Sequence, residues 1–234
     1  MNVALIWRSI MVASNLSWTP HISMIAARAK KVAAWVHSAF KTRDKFTMMT
    51  LFKSLVRSHL EYCCPLWNPQ RGSGVKLLEG VQRTFTAKIC SVQHLDYWQR
   101  LKSLHLLSLQ RRRQRYIIIH VWKILHGKCT NGAGIKFNNT LRRGQQALVP
   151  TLTKLSSQRN QMLYDQSFAV IASRLWNMVP PNLHSIENLD NFKSHLTDFL
   201  KKFPDEPQVP GYSSRTGNSL LEWSAYKTAG GQHF

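Results

Sequence analysis

The side chains able to do chemistry in this chain are few and far apart. Phosphoryl transfer assisted by two metal ions needs close carboxylates to hold them. Of 234 residues only 11 are Asp or Glu, and in the first 160 these are Asp44, Glu61, Glu79 and Asp96, each isolated. Asp96, three residues before Gln99, fits a helix capping box; Glu61 is expected to be buried or ion-paired. The adjacent pair Asp205-Glu206 falls in a stretch rich in Pro, Gly and Ser. Cys90 and His94, with His126 and Cys129, could be assembled into a tetrahedral zinc site, but chance spacing among four Cys and ten His explains them better. No Cys–His pair has local support as nucleophile and base. Gly72-Ser73-Gly74 lacks the Lys-Ser/Thr that completes a phosphate loop. No catalytic residue, no metal site and no cofactor is expected.

What remains is positive charge. There are 32 Lys and Arg, for a formal net charge of +21. Residues 1–160 hold 26 of them against 4 acids, a net of +22; residues 161–234 hold 6 against 7, a net of −1. A region so charged repels itself unless something anionic shares its surface. Nucleic acid is the first partner to consider, because Lys and Arg release the counterions of phosphates; an anionic membrane surface is the rival. The candidate phosphate contacts are Lys30, Lys31, Arg111, Arg112, Arg113 and Arg115, with Arg142 and Arg143 in a loop. The Arg111–Arg115 group crowds the first turns of a helix, the wrong end for the helix dipole, which calls for a compensating anion. A solvated helix face and a nuclear-localisation signal are the alternatives there. Trp35, Trp98, Tyr116 and Trp122 lie near these cations, and aromatic rings stack on unpaired bases; most Trp at helical spacing are nevertheless core.

The elements that must position these groups read as helices. Thr19-Pro20 has the form of an N-cap and first helical residue, opening a helix to about Lys41. Its inner face is Ile22, Ile25, Ala26, Ala29, Val32, Ala33, Val36 and Phe40, with Arg28, Lys30, Lys31 and Lys41 outward. Thr47 is the expected cap of a central helix whose apolar face is Leu51, Phe52, Leu55, Val56, Leu60 and Tyr62. Pro65 and Pro69 are expected to stop it, with Trp67 as an anchor. Further helices follow Ser73, Asp96 and Ser108, the last running through Ile117-Ile118-Ile119 to Gly127. Residues 128–161 lack periodicity and read as a basic, partly mobile connector and domain boundary. A helix over 165–178 and another capped by Asn188 complete a C-terminal pair (162–203), before a disordered tail, 204–234. The fold class is all-α: a basic helical bundle over 15–127, then the small pair. Four cysteines, Cys63 and Cys64 among them, imply a reducing compartment. The opening MNVALIWRSIMVAS is too short to span a bilayer and poor as a signal peptide. A soluble, intracellular protein of nucleus or cytoplasm is expected, with no membrane role.

The run Leu51–Pro69, LFKSLVRSHLEYCCPLWNP, resembles the "slVrp-hLEY-as-vW-P" signature that follows the polymerase palm in non-LTR (jockey/LINE-type) retrotransposon reverse transcriptases. Other pieces occur in the family's order: Leu16 to Ile22 ("LsWxxHI"), Leu77 to Arg83 ("lE-vQrr"), Tyr97 to Leu101 ("Y-eRL"), Leu106 to Arg113 ("L-sLe-RR"), Arg174 to Pro180 ("raarlWNsLP") and Phe192-Lys193 ("FK"). The resemblance covers roughly Asn15 to Phe203; residues 1–14 match nothing in it. It implies the thumb and C-terminal region of an RNA-directed DNA polymerase, without the palm and endonuclease, from a truncated element. Such a thumb grips the backbone of RNA or an RNA–DNA hybrid behind the active site, beside a palm in a longer parent protein, and is not an enzyme by itself. The alternative is a helical protein-interaction or structural relic domain with no nucleic-acid role.

Overall fold

A computed structural model describes residues 4–7, 10–14, 17–69, 72–132, 134–138, 147–151, 157–203, 205 and 220. Helix dominates, as expected, but two antiparallel strand pairs are present. β1 (Ala4–Trp7) pairs with β2 (Ile10–Ala13), and β3 (Ile135–Asn138) with β4 (Ala147–Pro150). The second pair lies in the stretch read as a structureless connector, so the all-α expectation needs that correction. The chain divides into two compact units, Met1–Arg112 with Asp205–Gly217, and Arg113–Pro204 with Asn218–Phe234. The division falls inside a helix rather than in the 128–161 stretch.

In the first unit, α1 (Thr19–Ala39) buries Ile22, Ile25, Ala26, Ala29, Ala33 and Val36, the expected stripe, while Phe40 is turned outward. Trp18, not Thr19, is its N-cap, and the Ser17 hydroxyl accepts from the Thr19 amide at 3.3 Å. At the other end the Arg43 guanidinium donates to the carbonyls of His37 (2.6 Å), Thr42 (2.8 Å) and Phe40, closing the C-terminus of α1. The central helix starts as α2 (Lys45–Leu51), capped by Asp44 rather than Thr47: the Asp44 carboxylate accepts from the Thr47 amide at 2.9 Å. It passes through a π turn, Phe52–Val56, into α3 (Arg57–Glu61). Phe52, Val56 and Leu60 are fully buried, but the turn shifts the helical phase, and the predicted face member Tyr62 is exposed.

The helix breaks before the prolines. Cys63 takes a left-handed conformation (φ 50°), and Pro65 opens a short α4 (Cys64–Trp67) instead of ending α3. Trp67 is the anchor expected, buried, with its indole N–H donating to the Tyr62 carbonyl at 2.8 Å. α5 (Gly72–Thr86) packs along α1. A Cβ at Gly74 would lie 3.1 Å from Pro69 Cβ and 3.4 Å from Ile22 Cδ1, so a side chain there would push the proline back by a few tenths of an ångström. α6 (Tyr97–Ser103) carries the Asp96/Gln99 capping box.

α7 (Leu109–Leu125) spans the division. In the second unit its residues Ile117, Ile118, Val121 and Trp122 join a core with Leu148 of β4 and with α9 (Phe168–Asn177), α10 (Pro181–His184) and α11 (Leu189–Lys201), while α8 (Gln158–Gln166) lies against α9. The helix expected over 165–178 is α9, started by the Ser167 side chain, which accepts from the Val170 amide, and α8 precedes it, beginning in the stretch read as connector. The Asn188 cap of α11 is as expected. Two residues of the predicted disordered tail are docked: Asp205 is hydrogen-bonded and Leu220 is buried.

Candidate nucleic-acid interface

The arginines at the start of α7 are held by the protein itself. Arg111 is 0% and Arg113 1% exposed, out of reach of a phosphate backbone. The Asp205 carboxylate lies 3.7 Å from the Arg111 guanidinium. The same carboxylate accepts from the Ser108 hydroxyl at 2.7 Å and from the Ser108 amide. Burial pulls the Arg111 guanidinium below its ordinary pKa, and the Asp205 charge opposes that shift. Arg112 forms a two-pronged pair with the Glu61 carboxylate, one bond at 2.9 Å; Arg57 lies 3.7 Å from the same group. Arg115, in the second unit, donates to the Thr197 hydroxyl (3.0 Å) and the Lys193 carbonyl (3.3 Å). The expectation that Arg111 and Arg113 meet phosphate is therefore corrected, and Arg112 and Arg115 are engaged inside the fold.

The anion that the helix start calls for comes from within. Ser108 accepts from the Arg111 amide at 3.0 Å, Glu79 accepts from the Gln110 amide at 2.8 Å, and Asp205 completes the set. Negative charge at a helix N-terminus is favourable by about 0.3–1 kcal/mol per group when exposed and more when partly buried. Glu79 also accepts from the Tyr97 hydroxyl at 2.6 Å, and the Gln82 amide donates to the Tyr97 oxygen and to the Leu107 carbonyl, both at 3.2 Å. Burial first, then the Glu79 carboxylate, pushes the Tyr97 phenol far above its ordinary value. Glu61 thus meets Arg112, Tyr97 meets both Glu79 and Gln82, and in the second unit Asn177 holds both backbone groups of Leu148 at 2.9 Å.

The exposed surface is left to the other cations. Among the described residues of Met1–Arg112, ten Lys and Arg are exposed, Lys30 and Lys31 among them. Exposed carboxylates there are Asp44 and Asp96, both occupied as helix caps. Among the described residues, Arg28, Lys30 and Lys31 form no ion pair. Arg142 and Arg143 lie outside the described residues. The aromatic candidates separate cleanly. Trp122 is core, its N–H donating to the Ile186 carbonyl at 2.9 Å; Trp98 and Tyr116 are half-buried, and Trp35 stands out in solvent. Among the described residues no group of three or more His, Cys, Asp or Glu could hold a metal, and no helix is long and apolar enough to cross a membrane.

One buried group had no signal in the sequence. His37, on α1, tilts against the Phe85 ring (centroids 4.5 Å), with Lys88 and Arg43 near it and, among the described residues, no hydrogen-bond partner for either ring nitrogen. Burial and then those two cations lower its pKa to about 4. No protein-family model, curated protein or solved structure matches the chain.

Proposed function

We propose that this chain binds nucleic acid through its phosphate backbone, as the thumb and C-terminal region of a non-LTR reverse transcriptase separated from its palm. One observation carries the reading. The internal carboxylates of the first unit are engaged with α7, which leaves, among its described residues, ten exposed Lys and Arg against two capping aspartates. Such a surface attracts a polyanion without reading its sequence. The reading assigns no catalytic step, since Asp44 and Asp96 serve as caps and Glu61 and Glu79 as partners of Arg112 and Tyr97. RNA or an RNA–DNA hybrid, in the nucleus or cytoplasm, is the partner that the resemblance supplies.

The test is fluorescence anisotropy of labelled RNA and hybrid duplex against salt. With about four or more phosphates engaged, affinity falls roughly a hundredfold between about 50 and 200 mM salt. Flat salt dependence, or no binding at low salt, sinks the reading. A protein-interaction domain is the second reading, favoured by Tyr62 and Leu66, exposed apolar side chains on either side of the Cys63 break. It predicts partners that stay bound after nuclease treatment.

A further inference from the structure

We infer that Trp35 is a stacking platform for an unpaired base, so that the outer face of α1 takes single-stranded nucleic acid in preference to duplex. This rests on the backbone binding proposed above and adds a second kind of contact to it. Trp35 is 58% exposed in the C-terminal part of a 21-residue helix whose inner stripe is already filled by Ala29, Ala33 and Val36. Its place is therefore not set by the core. Arg28 and Lys31 precede it by seven and four residues, so all three share one stripe of α1. At 1.5 Å per residue they lie about 10 and 6 Å from it along the axis. Both cations are exposed and, among the described residues, without an ion pair. A ring with two free cations behind it can hold a base on its face and the adjoining phosphates on the cations. A duplex offers phosphates to the cations but keeps its bases stacked on one another.

Phe46 is more exposed, at 82%, yet fits less well. It stands two residues from the Asp44 carboxylate, which repels phosphate, and the Lys45 ammonium beside it is taken by the Ser103 carbonyl at 2.8 Å. Charge complementarity thus selects the stripe on α1 and selects a polyanion as its occupant.

The experiment compares the full chain with Trp35→Leu and Trp35→Phe. Leu keeps apolar bulk and helix propensity but has no π-face; Phe keeps a face. The probes are a labelled single-stranded uridine oligonucleotide and a blunt RNA duplex of equal length, titrated at two salt concentrations, with sedimentation as a check on self-association. Trp35→Leu should weaken single-strand binding about tenfold, leave duplex binding and the salt slope unchanged, and Trp35→Phe should recover most of the loss. Single-strand affinity unaltered by Trp35→Leu overturns the platform while leaving the backbone reading standing. Equal loss on both probes overturns it too, as does self-association that Trp35→Leu abolishes without change in affinity. Absence of salt-sensitive binding by the unchanged chain defeats the backbone reading, and this inference with it.

Discussion

Arg111 and Lys31 carry the same charge and do opposite work. Arg111 is sealed beside Asp205, whereas Lys31 is open to solvent. Reversing Lys30 and Lys31 to Glu should reduce the salt slope of RNA binding by about two with little change in thermal midpoint. Replacing Glu61 by Ala, which leaves Arg112 largely buried without its carboxylate, should destabilise by about 2–4 kcal/mol, seen in urea unfolding. His37 adds a pH dependence. Its folded value of about 4 lies below the ordinary 6.5, so as pH falls the unfolded chain takes the proton first. Stability is full above pH 6.5 and is lost on going down towards 4, by about 1–3 kcal/mol after allowing for solvent screening. His37→Leu should flatten part of that curve, leaving the slope from His21, His120 and His184, whose values burial also lowers.

At the scale of elements, two glycines of α5 separate packing from propensity. Around Gly80 a Cβ would meet nothing within 4 Å, whereas at Gly74 it would press on Pro69 at 3.1 Å. Gly80→Ala should therefore stabilise by about 1 kcal/mol, read as a raised thermal midpoint; Gly74→Val should lower it by forcing α5 away from Pro69 and Ile22. The capping box at Asp96 and the Asn188 cap were legible because both partners lie within three residues. The π turn at Phe52–Val56 was not, since helical periodicity over ten residues cannot register one extra residue per turn. Nor was the β3–β4 pair: its two strands are short, and β4 is fastened by Asn177, which follows it by 29 residues.

On the scale of the whole molecule the charge of +21 sets the behaviour. Self-repulsion should ease when a polyanion binds the folded chain, so heparin or RNA should raise the thermal midpoint by mass action, and added salt should reverse that gain. Thermal unfolding followed with and without heparin checks it. Asp205 is part of this balance, because it brings a carboxylate from the tail to the start of α7. Asp205→Asn should lower stability without altering the salt slope of binding.

The amino-acid sequence by itself determined that the chain is mainly helical, that Asp96, Ser108 and Asn188 cap helices, which side of α1 faces inward, and that the first 160 residues carry nearly all the excess charge. These follow from contacts within a turn or two and from composition. Only the tertiary structure decided which cations are free. Arg112 meets Glu61 across 51 residues of chain, and Ser108 meets Asp205 across 97. A carboxylate so distant leaves no trace in local spacing, so the same four arginines read as a phosphate grip in one dimension and as the fastened root of a helix in three.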